Sequence, residues 1–294
     1  MKAGFLPALG TPLDQNGNLC TESFKKQIRD QIAAGAVGVL CMGSMGQQAH
    51  LRQSVCPLTA KAALEAADGQ VPVFVGAMDI SIARTKERMA AMEELDVSGF
   101  VFTAPYYAPC SREQMMNYFK QVAAATRHKV LVYDLPGVTQ AKITYDMVLE
   151  LLRDVPNFIG IKSADLQMFR KLKLNPDVPK DFIMVYSGLD TFDIAYKWGI
   201  DKCLDGMCAC TPHNTGMLFR AMENEDYETA AICLNNIVAL RDALLAHDLW
   251  PAFSAVMNML GYEGNFALDY CSPLREGAYE ALHKMLVEIY EVEG

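Results

Sequence analysis

Apolar residues over most of the chain gather in eight short runs, each closed by Gly, Pro, Ser or Asp. The runs are Gly4–Leu9, Val37–Met42, Val71–Gly76, Gly99–Thr103, Lys129–Tyr133, Phe158–Lys162, Phe182–Tyr186 and Lys202–Met207. Near-continuous apolar runs of this length fit parallel strands covered on both faces; a strand with one wet face would alternate. Between the runs the periodicity turns helical. Thr21 to Ala34 opens on Thr21-Glu22-Ser23, read as a cap region, with Ile28, Ile32 and Ala36 on one face and Gly35 after the last turn. Ser111 to Gln114 has capping-box spacing, and Met116, Phe119, Val122 and Ala123 supply the apolar side that follows. Strand and helix alternate roughly every 20 to 35 residues, and eight such units predict an α/β fold, the (β/α)8 TIM barrel. A doubly wound open sheet is the rival, but no Gly-x-Gly-x-x-Gly follows the first run.

Beyond about residue 225 the strand-like runs stop. Asp226–Ala246, Pro251–Leu260 and Pro273–Tyr290 read as helices. The expected organisation is a catalytic barrel over 1–225 and a C-terminal helical domain over 226–294, with no Pro/Ser-rich linker between them.

Composition narrows the partners. A formal charge of −9 argues against nucleic acid, which demands clustered Lys and Arg. Neither a signal peptide nor a run of about 18 uncharged apolar residues is present, so no membrane span is expected. The nine cysteines fall mostly inside apolar segments, among them Cys41, Cys203, Cys208 and Cys233. That placement predicts free, buried thiols in a reducing cytoplasm rather than a disulfide framework. Cys208-Ala209-Cys210 lacks zinc-knuckle spacing and no His-Glu-x-x-His occurs, so no metal is expected.

A barrel of this kind carries its active site at the C-terminal ends of its strands. Those ends read Gly43-Ser44-Met45-Gly46-Gln47, Pro105-Tyr106-Tyr107, Tyr133-Asp134-Leu135-Pro136, Lys162-Ser163-Ala164-Asp165, Ser187-Gly188-Leu189-Asp190 and Asp205-Gly206. Lys162 is the odd residue, a lysine ending a fully apolar run. Two readings compete: a desolvated amine that attacks a ketone, or a strand-end lysine that snorkels to solvent or pairs with a carboxylate. Tyr133 is either a proton shuttle or a rim aromatic with a wet hydroxyl. The turn between Gly43 and Gly46 is either a nest of amides for a carboxylate or simply a tight turn, and Ser44 either relays a proton or caps it. Placement at neighbouring strand ends favours the chemical readings jointly.

With these motifs in place, the chain resembles the dihydrodipicolinate synthase / N-acetylneuraminate lyase family of class I aldolases. Thr11-Pro12 with Asn16-Gly17, the Gly43–Gln47 turn, Pro105-Tyr106-Tyr107, Tyr133 with Pro136, Gly160-Ile161-Lys162 and Ser187–Asp190 carry the resemblance. It implies that Lys162 forms an imine with pyruvate and that Tyr133 is the acid/base. Ser44 and Tyr107 would complete a hydroxyl relay, Tyr107 often being lent by a neighbouring subunit. Gly43, Met45, Gly46, Gly188, Asp190, Asp205 and Gly206 would line the substrate. It further implies a homodimer or homotetramer acting on a 2-oxo acid and an aldehyde. No cofactor is called for, because a protonated imine is itself the electron sink.

The departures bear on the second substrate. Met45 stands where the family has a carboxylate-binding Thr, and Gln47 where it has Glu. Val138 stands where dihydrodipicolinate synthases carry an Arg that grips the aldehyde's carboxylate, a loss of a charge-assisted pair. A sugar-acid or sialic-acid-like partner is therefore expected, with Asp165, Asp190 and Asp205 as acceptors for hydroxyls. The competing reading makes Asp165 and Asp190 helix caps. Asp190 matches the aspartate that sialic acid lyases use, although Thr191 replaces the neighbouring Glu. Two rivals remain: 4-hydroxy-tetrahydrodipicolinate synthase, and a non-catalytic binding protein on the same scaffold.

Overall fold

A computed structural model describes residues 1–293. Eight parallel strands, β1 (Gly4–Pro7), β2 (Val39–Cys41), β3 (Val73–Gly76), β4 (Gly99–Thr103), β5 (Val130–Tyr133), β6 (Phe158–Ser163), β7 (Ile183–Tyr186) and β8 (Lys202–Asp205), form one sheet ordered β1-β8-β7-β6-β5-β4-β3-β2. The seam between β1 and β2 is closed by a parallel bridge from Ala8 to Leu40 and by the Leu9 N–H bonding the Leu40 carbonyl at 2.9 Å. The result is the TIM barrel that the alternation predicts. Each strand lies within its apolar run, trimmed by a few residues at most, except β6, which continues one residue further to Ser163.

The barrel wall separates two cores. Inside it, Leu6, Leu40, Phe74, Val101, Leu131, Val185 and Leu204 meet one another. Outside it, Phe5, Cys41, Phe100, Phe102, Val132 and Ile161 pack beneath the helices. Successive strand residues point to opposite faces, so burial of both faces explains the unbroken apolar runs.

The outer layer comprises α1 (Thr21–Ala34), α2 (Cys56–Ala67), α3 (Ile82–Ala90), α4 (Arg112–Ala123), α5 (Pro136–Thr139), α6 (Tyr145–Asp154), α7 (Leu166–Leu174), α8 (Phe192–Lys197), α9 (Met207–Cys210) and α10 (Pro212–Glu223). The C-terminal helices follow: α11 (Tyr227–Ala246), α12 (Leu249–Met259) and α13 (Ala278–Glu288). The capping box of α4 is present, with Ser111 and Gln114 bonding reciprocally. Gly35 ends α1 at φ 106°, a conformation that glycine adopts at no steric cost. Asp226 caps α11.

Three helix starts correct the sequence reading. The N-cap of α1 is Cys20, which makes no side-chain capping bond, and Ser23 Oγ is buried without a partner. α12 begins at Leu249, two residues before Pro251, since a proline in the first turn forfeits no helical bond. α13 begins at Ala278 rather than Pro273, after Gly277 at φ 74°. Among the described residues, only α11 is long and apolar enough to cross a membrane by length and composition. Arg241 and Asp242 interrupt it, and its buried stripe of Cys233, Leu234, Ile237, Leu240 and Leu244 packs on α10, α12 and α13. All nine cysteines are free, and burial pushes the Cys41 thiol up to about 12, where it is an inert hydrophobe.

One buried ion pair fixes the β3 end to the turn that follows β2. Arg88 on α3 contacts Asp79 Oδ2 at 3.0 Å, the Met78 carbonyl at 2.7 Å, Gln48 Oε1 at 2.7 Å and Gln53 Oε1 at 2.9 Å. Burial pushes the Asp79 carboxyl up, but bonds from Arg84 and the Ile80 N–H, with the charges of both arginines, outweigh it and hold it below the usual range. A depressed native value contributes stability above the unfolded value of about 3.9 and loses it as pH falls through the native one. Arg88→Met, which removes the buried one of Asp79's two guanidinium partners and leaves Arg84 in place, is expected to destabilise the fold by about 1–3 kcal/mol in urea unfolding at pH 7. The loss should shrink in unfolding curves taken toward pH 3; a loss independent of pH would contradict the assignment.

Candidate active site

The parallel register of β5 and β6 places Tyr133 directly beside Lys162, and that of β6 and β7 places Lys162 beside Val185. Residues in register share a face. Tyr133 and Val185 belong to the inner core, so Lys162 also enters the barrel. Its Nζ lies 4.1 Å from the centroid of the Tyr133 ring. Lys162 is 5% exposed and Tyr133 7%. The amine therefore does not snorkel to solvent, and it makes no salt bridge with a carboxylate among the described residues. The aromatic face supports a cation without a counter-ion.

Asp205 ends β8 and its Oδ1 accepts the Met207 N–H at 2.9 Å. Burial raises its carboxyl above the usual value, opposed by the charge of Lys162 and, more weakly, of Arg241.

The turn after β2 completes the wall. Its conformation is unusual: Met42 has φ 53° and Gln47 φ 57°. Gly76, which the sequence reading passed over, makes room for it. A Cβ there would stand 1.8 Å from the Met42 carbonyl oxygen. Gly46 sits against the Leu9 carbonyl, and Thr11 Oγ1 donates to the Gly46 carbonyl at 2.7 Å. Gly43 packs on Leu40. Met45 reaches across to β8, where a Cβ on Gly206 would meet its Cγ at 2.2 Å. The Met45 side chain is thus pressed onto the glycine after Asp205.

The remaining candidates lie farther out. Ser44 is exposed, Tyr107 is 87% exposed and Val138 is 55% exposed on α5. Among the described residues, no hydrogen bond joins the hydroxyls of Ser44, Tyr107 and Tyr133. Tyr106 is half-buried, and burial raises its phenol. Gly188 lies against the Tyr186 hydroxyl, which bonds Thr191 Oγ1 at 2.6 Å. Asp165 caps α7 through the Met168 N–H at 2.8 Å and also contacts Lys142. Asp190 caps nothing. It lies in the single turn Leu189–Thr191, and its carboxylate is gripped at both oxygens by Arg241 of α11, at 2.6 and 2.9 Å. Arg241 carries no strand-end signal, so nothing in the local sequence marks it.

Residues 1–289 match the model of the Dihydrodipicolinate synthetase family. A 4-hydroxy-tetrahydrodipicolinate synthase of Thermotoga petrophila is 26% identical over 293 residues, covering 98% of this chain and 99% of the relative. Among solved structures, Proteus mirabilis N-acetylneuraminate lyase superposes with a TM-score of 0.89 at 17% identity, covering 99% of each chain. YagE, a prophage protein of the dihydrodipicolinic acid synthase family from E. coli K12 crystallised with pyruvate, superposes with a TM-score of 0.87 at 22% identity. It covers 99% of this chain and 100% of its own.

The contact between Met45 and Gly206 is testable. Gly206→Ala would force Met45 out of its place, a clash of the kind that costs about 1–3 kcal/mol. The expected result is a thermal unfolding midpoint lowered by several degrees. Met45→Ala in the Gly206→Ala background should restore it, and failure of that rescue would refute the contact as the cause.

Proposed function

Since the chain belongs to the Dihydrodipicolinate synthetase family, a family of Schiff-base-forming pyruvate aldolases and lyases, we propose that it cleaves or forms a hydroxylated 2-oxo acid through an imine at Lys162. The observation that carries this reading is the inward, carboxylate-free Lys162 amine against the Tyr133 ring. The amine attacks the C2 carbonyl of pyruvate, and loss of water leaves a protonated imine. That imine accepts the electron pair released when a proton leaves C3, or when the C3–C4 bond breaks. The resulting enamine attacks the aldehyde in synthesis, or is protonated at C3 after cleavage. Water then hydrolyses the imine and frees the lysine. Tyr133 is the proton carrier in this scheme.

The turn amides from Gly43 to Gly46 receive the pyruvate carboxylate, with Met45 closing that end against Gly206. Ser44 continues the relay toward Tyr107, whose exposure on a single chain suits a side chain offered to a second copy. A homodimer or homotetramer supports this arrangement. Catalysis belongs to residues 1–225, and α11 to α13 form a helical unit on the barrel. The nine free thiols are in keeping with a cytoplasmic location.

For the second substrate, the half-buried Asp205 is the better acceptor for hydroxyls, because Asp190 is already held by Arg241. Val138 offers no charge to a carboxylate, which disfavours aspartate semialdehyde and favours a sugar-acid or sialic-acid-like chain. The name of the Thermotoga relative keeps lysine-pathway condensation as the second reading.

Incubation with pyruvate and borohydride should add a pyruvate-sized mass at Lys162, lost in Lys162→Ala. Tyr133→Phe should retain trapping but slow turnover by roughly 10²–10⁴-fold. Release of pyruvate from 2-keto-3-deoxy sugar acids or sialic acids would identify the partner class. Condensation with aspartate semialdehyde alone would favour the second reading. Absence of any adduct on folded protein would refute the imine.

A further inference from the structure

Strand geometry gives the imine pair a second side. Asp134 follows Tyr133 and Ser163 follows Lys162, so both point away from the barrel interior. Ser163 stands in register with Tyr186, which belongs to the outer core. There the two side chains meet. Ser163 Oγ donates to Asp134 Oδ2 at 2.7 Å, with Asp134 4% exposed and Ser163 fully buried. Asp134 also accepts the Ile143 N–H at 2.9 Å on Oδ1 and the Lys142 ammonium on Oδ2. Lys142 continues to Asp165 Oδ2 at 3.0 Å, and the Asp165 N–H bonds Ser163 Oγ at 3.0 Å. The backbone seals the same corner, since the Asp134 N–H bonds the Lys162 carbonyl at 2.9 Å.

We propose that Asp134, Ser163 and Lys142 form a positioning clamp behind the reactive pair, holding Tyr133 and Lys162 at working separation without touching substrate. This rests on the Schiff-base reading above. Three properties suit the clamp to the task. It joins the residue after the acid/base to the residue after the nucleophile, one peptide from each. Its charges are partnered: burial tends to lower the Lys142 ammonium, but its bonds to Asp134 and Asp165 outweigh that and raise it. It also anchors the segment after α5, which carries Val138, to the strand bearing Tyr133. Proton transfer and imine formation depend steeply on such placement; a misplacement of about 1 Å can cost about a hundredfold.

The test uses pyruvate alone, so it does not depend on the aldehyde. Two rates are measured as pyruvate is varied: borohydride trapping, which reports Lys162, and exchange of pyruvate methyl protons with deuterium by NMR, which reports proton transfer. The double variant Asp134→Asn with Lys142→Met removes both charges together, leaving no stranded buried ion. It should lower the saturating exchange rate by roughly tenfold to a hundredfold while half-saturation moves less than about twofold. Ser163→Ala should do the same more weakly. Lys142→Arg and Ser163→Thr, which keep the donors, should recover the wild-type rates. Thermal unfolding of every variant separates misplacement from loss of folded protein. Folded variants that exchange and trap at wild-type rates would overturn the clamp alone. A wild-type protein that forms no adduct would overturn the Schiff-base reading, and the clamp with it.

Discussion

The parallel register of β5 against β6 is the constraint on which the site depends. Side chains alternate along a strand, so a slip of one residue would turn Lys162 out of the barrel and bring Ser163 in. Register is held from both sides. Inward, Leu131, Tyr133 and Val185 fill the barrel; outward, Val132 and Ile161 are buried under helices. Neither face tolerates the other's residues, because Asp134 could find no partners among the inner apolar side chains. The same alternation that fixes the fold therefore turns the Lys162 amine inward, against the Tyr133 ring.

The fold was legible because this architecture imposes its pattern on the chain repeatedly. Each strand must be apolar on both faces, and each ends where chemistry can begin. Lys162 stood out for that reason, since a lysine closing an apolar run is a local anomaly; Tyr133 gained weight only from its place on the neighbouring strand end. The helix ends were less legible. Thr21 and Ser23 are good caps by type, yet the chain enters α1 one residue earlier, at Cys20. Position within the turn, not residue identity alone, decides a cap.

What the sequence hid is long-range. The partners of Asp134 lie 8 and 29 residues away, and the partner of Asp190 lies 51 away. Such pairs leave no spacing to read. Gly76 was hidden for a different cause. It looks like any glycine closing a strand, and only the approach of the Met42 carbonyl shows why a side chain cannot stand there. The family motif around residues 43–47 was visible as a string. Its support by Gly76, Thr11 and the Arg88 cluster was not.

Under the proposed function, the charges near Lys162 bear on which second substrate the site would accept. A carboxylated aldehyde needs a cation that is free to pair with it. Lys162 would be consumed as the imine, Lys142 bridges Asp134 and Asp165, and Arg241 is held by Asp190 and Asp242. Recruiting Arg241 would leave Asp190 without its bidentate partner, an exchange of one pair for another with no net gain. A hydroxylated chain meets no such conflict. Its hydroxyls both donate and accept, so they can bond Asp205 and exposed backbone while every existing ion pair stays in place.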